Sequence, residues 1–421
     1  MSDFAICFSV PGRGAADDRG GSRLPKIAPV LGLGLLSLGG AAGAQTLPER
    51  RLDIGISVVN SYDTNILRLP EDGTAPPGQS RDDIRATPSF TVDIEQPLGR
   101  QSVFLSGSAG YDFYRENDQL ERERIELTGG TNLNLQACGS RLAATYGRQQ
   151  SDLADILPGE RQVNTQTRTL YQGEIACRGF GPLEPTFSYE RERVENSDPM
   201  RRNGNTTSDT YSVGVNYFRP VFGSVGAQVS YSDARYDRTA DLPPGRTNGI
   251  KTYTADFTFE RRIGSQLTGT ASIGVTRVDP SLPDVPGFKG LSYSADLTWT
   301  PGTRLQARVG LSREAQQPNL LNISYAIVDT YQGRLQYALG NRIRLTTGAD
   351  YLRRSLRDSA LTQGPVLQTE DRRLLLFGGA SYQAGERLTF SLDARAERRR
   401  SDVKELSFNN FSVALTTRLT I

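Results

Sequence analysis

Leu267-Thr268-Gly269-Thr270-Ala271-Ser272-Ile273-Gly274-Val275-Thr276 places apolar or small residues at every odd position and hydroxyl residues or glycine at every even one. Successive side chains of a strand point to opposite faces, so a period of two separates one apolar face from one polar face. Leu291, Tyr293, Ala295, Leu297 and Trp299 alternate in the same way with Ser292, Ser294, Asp296 and Thr298. Phe411, Val413, Leu415, Thr417, Leu419 and Ile421 repeat the pattern at the C-terminal end. Each run covers about ten residues, against roughly five or six for an average strand of a soluble domain. A tilted strand that crosses a bilayer needs about 9–11.

Tight glycine-bearing connections punctuate these runs at Pro97–Arg100, Cys138–Arg141, Arg178–Gly181, Val221–Ser224, Ile263–Ser265, Pro301–Arg304, Leu339–Arg342 and Ala384–Arg387. Their glycines, at 99, 139, 179, 223, 264, 302, 340 and 385, follow one another at intervals of 38 to 45 residues. Longer polar segments lie between them, among them 70–80, 195–206, 237–247 and 279–288. Eight short turns separate nine hairpins, which predicts 18 strands, with 16 as the alternative count. Propeller blades recur at a similar period but carry four short strands each, whereas these repeats read as two long ones. The fold class predicted is all-β, a transmembrane antiparallel up-and-down β-barrel. Hydrocarbon leaves no backbone polar group unpaired, so a membrane-spanning sheet must close on itself. Alternation then turns apolar side chains to lipid and polar ones to the lumen, so a membrane protein can be only 37% hydrophobic. With strands about 4.8 Å apart and tilted about 40°, such a barrel has a backbone diameter of roughly 36 Å, wide enough for an aqueous channel. Outward-phase aromatics such as Tyr171, Tyr211, Tyr253, Trp299, Tyr337 and Tyr382 are expected where lipid meets water.

Histidine is absent, which excludes a Ser–His–Asp triad, a Cys–His pair and any His-ligated metal. No catalytic, cofactor-binding or metal-ligating set stands out, and an enzyme is not expected. A formal net charge of +2, from 49 basic and 47 acidic residues, argues against nucleic acid as a partner. Lys26, the apolar stretch Ile27–Leu38 and the small residues Ala42 and Ala44 form a secretory signal with cleavage expected after Ala44. Residues 1–44 are therefore assigned to a signal peptide and 45–421 to the barrel, with the first strand expected near Leu52 and no plug domain before it.

Strand phase also sorts the charges. Asp256, Glu260 and Asp296 are candidate lumen acids, and Arg308, Arg334, Arg344, Arg395 and Arg418 candidate lumen bases. Arg85, Asp93, Glu95, Asp112, Glu126 and Glu174 share that polar phase, and acidic residues are expected to dominate the first two-thirds of these candidates along the chain. Arginines, joined by Asp350, Asp393 and Glu397, are expected to dominate the last third. Such charges either pair and brace the wall, or the arginines serve an acidic solute by bidentate contacts. Cys7 leaves with the signal, while Cys138 and Cys177 occupy matching places beside short turns, in an oxidising compartment if those turns face the periplasm. Placed two strands apart, their Cα atoms would lie roughly 9.6 Å from each other, beyond the roughly 7 Å limit for a bridge. A disulfide and two free thiols both stay open at this stage.

The first hairpin reads Gly55-Ile56-Ser57-Val58-Val59-Asn60-Ser61-Tyr62-Asp63-Thr64-Asn65-Ile66-Leu67-Arg68, and then Asp82-Asp83-Ile84-Arg85-Ala86-Thr87-Pro88-Ser89-Phe90 before the Pro97–Arg100 turn. With its Tyr-Asp-x-Asn-Ile motif this resembles the "putative beta-barrel porin 2" group of outer-membrane proteins, whose members often sit in exopolysaccharide or capsule loci of Gram-negative bacteria. The resemblance implies an outer-membrane channel, porin-like, that takes part in exopolysaccharide export, and it supplies no catalytic residues. Its implied partners are outer-membrane lipid, a polysaccharide or small polar solute, and the barrel assembly machinery. Ile421 stands where such barrels commonly end in Phe or Trp. The alternative function is a structural or adhesive barrel whose loops bind an external partner and leave no open pore.

Overall fold

The structure is a computed structural model, and it describes residues 50–151, 164–199, 201–219, 222–237, 248–282, 285–316, 323–358 and 370–421. The signal assigned to 1–44 and most of the 237–247 segment lie outside them. The strands are β1 Arg51–Asp63, β2 Asp83–Leu98, β3 Gln101–Tyr114, β4 Arg122–Leu135, β5 Cys138–Gln150, β6 Thr165–Cys177, β7 Leu183–Asn196, β8 Thr206–Arg219 and β9 Gly223–Tyr236. They continue as β10 Gly249–Ile263, β11 Leu267–Pro280, β12 Phe288–Trp299, β13 Leu305–Gln316, β14 Ile323–Leu339, β15 Ile343–Asp358, β16 Glu370–Gln383, β17 Leu388–Ser401 and β18 Phe408–Thr420. Each pairs antiparallel with its neighbours in the chain, and β1 pairs with β18 from Gly55–Thr420 to Asp63–Ser412. The result is a closed barrel of 18 strands, which settles the count against 16.

Exposed large apolar side chains fall on one phase of each strand, for example Phe257, Ile273, Leu291, Val309 and Leu335, and mark the outer surface. The strands run 12 to 17 residues, longer than bilayer crossing alone requires. A 14-residue strand tilted about 40° rises about 36 Å, against an apolar band of about 25 Å. The surplus lies at the long-loop end. There the outer phase turns from Tyr253, Val275 and Leu291 to Lys251, Arg277 and Lys289 two residues further on.

The eight short turns share one end of the barrel. Gly99, Gly264 and Gly340 take φ of 66°, 62° and 68°, a left-handed conformation open to glycine at little cost. The second turn differs from the expectation that Gly139 makes it. Gln136 takes φ 55° in the two-residue link to β5, so the chain reverses before Gly139, which lies inside that strand.

At the other end, the Tyr-Asp-x-Asn-Ile motif fastens the first long loop across the barrel's closing seam. Asp63 Oδ1 accepts the Asn65 N–H at 2.9 Å, and Asn65 Oδ1 accepts the Leu69 N–H at 2.9 Å. The Asn65 Nδ2 donates to the Leu69 carbonyl at 2.8 Å and to that of Asn409, just inside β18, at 3.1 Å. Arg68, itself at φ 56°, is buried between Asp63 at 3.1 Å and Glu397 of β17 at 3.8 Å, and its guanidinium lies over Phe408. Ile66, Leu67 and Leu69 thereby bury against Tyr114 and Leu120 inside the mouth.

One ladder stops early. β12 and β13 pair only from Trp299–Ala307 to Tyr293–Arg313. Above that, Phe288–Ser292 pairs with β11 alone and Glu314–Gln316 with β14 alone. Tyr325 and Ile327 of β14 join Tyr236, Ile250 and Val278, inner-phase residues of β9, β10 and β11, in one apolar cluster with Leu282 and Val285. The tips of β13 and β14 therefore lean inward against the inner wall, and the Tyr236 hydroxyl donates to the Ser324 carbonyl.

Candidate functional site: the barrel lumen

Among the described residues the inner phase of the wall forms a continuous polar surface across the apolar band. Its composition changes around the circumference. From β7 to β12 it carries Glu184, Glu190, Glu192, Asp256, Glu260 and Asp296, with Arg262 as the one base among the described residues. Between these acids the wall is hydroxyl-rich. Ser208 and Thr210 both meet Ser232, at 3.2 and 3.0 Å, Thr254 meets Thr276 at 3.2 Å, and Ser272 meets Ser294 at 2.7 Å. Asp256 accepts the Ser292 hydroxyl at 3.2 Å. No ion pair involves Asp256 or Glu260 among the described residues.

From β13 to β18 the balance reverses. Arg308, Arg334, Arg344, Arg354, Arg373, Arg395, Arg399 and Arg418 share the inner phase with Glu314, Asp350, Asp371, Asp393 and Glu397. Two of the candidates pair with each other: Arg308 Nε lies 2.7 Å from Asp296 Oδ2, at the junction of the two arcs. Arg334 faces Arg308 in register and stacks over Phe377, 5.3 Å from the ring centroid. Arg344 lies near the turn end of β15, in register with Ser381, and Arg395 and Arg418 come from β17 and β18. Neither Arg334 nor Arg344 has an ion-pair partner among the described residues.

The mouth at the loop end behaves differently. Asp371 holds Arg354 at 2.8 Å and Arg399 at 2.9 Å while nearly fully buried. Arg373 pairs with Glu397, which also meets Arg68. Buried charges on this scale survive only when paired, so this network braces the wall. The expected acidic excess over the first two-thirds does not hold. Arg124, Arg141 and Arg168 interleave with the acids of β3 to β7, and Arg124 and Arg85 flank Asp112 at 3.1 and 3.9 Å. The acidic arc is confined to β7–β12. These added arginines were legible from strand phase, since each lies at an even or odd position dictated by its strand.

Cys138 and Cys177 are opposite each other in register on β5 and β6, with sulfurs 2.10 Å apart and Cα atoms 4.0 Å apart. The placement two strands apart was wrong. Cys138 opens one arm of a hairpin and Cys177 closes the other, so the two meet at the turn end as direct neighbours.

A family model described as "Putative beta-barrel porin 2" matches residues 56–421. No curated protein matches the chain. Among solved structures it is similar to OccK5 (OpdH) of Pseudomonas aeruginosa, at 15% identity and a TM-score of 0.45 over 88% of this chain and 98% of that one. It is also similar to a BenF-like porin of Pseudomonas fluorescens Pf-5, at 14% identity and a TM-score of 0.46 over 88% and 99%. With the closed barrel, the two-sided wall and a family match over nearly all the described residues, the chain belongs to the "Putative beta-barrel porin 2" family of outer-membrane β-barrel channels.

Proposed function

We propose that the protein is a water-filled channel for polar solutes bearing carboxylates, sugar acids and acidic glycan chains among them, with the long loops outside and the short turns in the periplasm. The segregation of lumen charge carries this reading: arginines line β13–β18, and β7–β12 presents carboxylates and hydroxyls. Arginine forks hold carboxylates bidentately. The hydroxyl ladders offer sugar-like hydrogen bonding, and the facing acids repel a carboxylate toward the arginines. Export of an acidic polymer fits the same wall and the resemblance of the first hairpin. In planar bilayers the purified protein should give stepwise conductance, and a uronic acid should depress the current. Arg334→Gln with Arg344→Gln should weaken that block and shift the reversal potential toward cations. Unchanged reversal potentials would sink the solute assignment.

A barrel closed by its own loop is the second reading, favoured by the burial of Ile66, Leu67 and Leu69 in the mouth. It predicts no conductance in the intact protein and a current only after the loop residues 66–80 are removed.

A further inference from the structure

Most of the charged outer rim is internally balanced. Arg191 lies 3.7 Å from Asp209, Arg235 2.7 Å from Asp233, and Arg277 2.9 Å from Asp279. The rim of β15–β17 is not. Arg353, Arg372 and Arg400 stand side by side in register on three consecutive strands, all on the outer phase and exposed, with Arg398 two residues below Arg400. Glu370 is shared, its Oε1 meeting Arg353 at 2.8 Å and Arg372 at 2.9 Å. Two other carboxylates lie near: Asp329 of β14, in register with Arg353 and 3.7 Å from Arg313, and Asp402, which accepts the Glu370 backbone N–H at 3.1 Å. Among the described residues Arg398 and Arg400 have no carboxylate partner, and the connection at 359–369 contains no acidic residue in its sequence. Like charges in direct register across strands are destabilising on their own. Directly below them the surface is apolar: Leu374 pairs with Arg398, and Leu376, Ala396 and Phe411 form the next row.

We propose that this arc is a binding site for the phosphate groups of a phosphorylated glycolipid in the outer leaflet. The acyl chains lie on Leu374, Leu376 and Phe411, and the phosphates are held by Arg353, Arg372, Arg398 and Arg400. Guanidinium groups grip phosphate bidentately, and an anion there relieves the repulsion left among Arg372, Arg398 and Arg400. The site rests on the proposed orientation, because only the loop end meets the outer leaflet.

The test is native mass spectrometry of the full barrel in detergent, with folding checked by heat-modifiable gel mobility and bisphosphorylated lipid A as the probe. The wild type should retain it, and Arg372→Gln with Arg400→Gln should cut retention about tenfold, as expected for losing charge-assisted contacts. Arg235→Gln with Arg277→Gln, at the balanced rim, should leave it unchanged. Dephosphorylated lipid A should not be retained by the wild type, a comparison that needs no variant. Excess inorganic phosphate should compete only weakly, because it lacks the acyl contacts. Equal retention of the dephosphorylated lipid, or of phosphatidylglycerol, would overturn the assignment, as would full retention by the Arg372/Arg400 variant. Displacement by inorganic phosphate at equal concentration would make this a free-phosphate site and overturn it as well. Orientation is read separately by impermeant thiol labelling of whole cells carrying Glu71→Cys or Glu386→Cys. Labelling of Glu386→Cys alone would refute the orientation while leaving the detergent result intact.

Discussion

Ala271 and Ser272 are adjacent in β11 and have opposite surroundings. Ala271 sits on the outer phase opposite Ala295, and Ser272 shares a 2.7 Å hydrogen bond with Ser294 on the inner phase. An arginine facing lipid near the midplane costs about 2–4 kcal/mol, and lumen positions tolerate charge. Ala271→Arg should therefore lose stability of that order in urea titrations of the barrel in vesicles. Ser272→Arg should lose much less and change conductance instead. Equal losses would mean that no water reaches the inner face. Asp63 makes a different kind of contrast. It neutralises Arg68, which is 6% exposed, and it also accepts hydrogen bonds from Asn65 and Asn410. Asp63→Asn keeps the shape but removes the charge, and breaking a buried pair costs about 3–5 kcal/mol. The same titration should show a loss approaching that size, and a loss within error of zero would mean Glu397 suffices for Arg68.

At the scale of elements, hairpins were legible and contacts across them less so. The alternation of Leu267–Thr276 and the spacing of the turn glycines follow directly from strand pleat and tight-turn geometry, so strand number and phase could be read from them. Strand length could not. The apolar alternation marks only the part of a strand that meets lipid, and hydrogen bonding carries on past it through residues such as Lys251 and Arg277. The second turn was misplaced because Gln136 adopts the backbone conformation that a glycine advertises. The Tyr-Asp-x-Asn-Ile motif stood out as a pattern, but its work as a clasp needs Asn409, Phe408 and Glu397, over 300 residues away. The cysteines failed for a topological reason: a repeat counted from turn to turn is one hairpin, and its two ends meet. Purified, unreduced protein should accordingly show no thiol reactive to maleimide at Cys138 or Cys177 after denaturation, and labelling of both should appear on reduction. Labelling without reductant would leave the two sulfurs unbonded.

For the whole molecule, the inner phase is acidic over β7–β12 and arginine-rich over β13–β18, while closure of the sheet decides whether the barrel stays a barrel. A cylinder of strands has no free edge, yet its seams are unequal. The β14–β15 ladder runs from Leu339–Ile343 to Ile323–Asp358, whereas β12 and β13 part above Tyr293–Arg313. Amide hydrogen exchange should register this: Phe288–Ser292 and Glu314–Gln316 should exchange sooner than residues at matching height in β14 and β15. Uniform protection around the rim would contradict the break. If the break holds, the barrel behaves as a hoop with one short weld, opened from the top and backed from inside by Tyr325 and Ile327. Lateral pressure from the bilayer would then act first on that weld, and a tear begun there would spread downward one backbone hydrogen bond at a time, from Tyr293 toward Trp299.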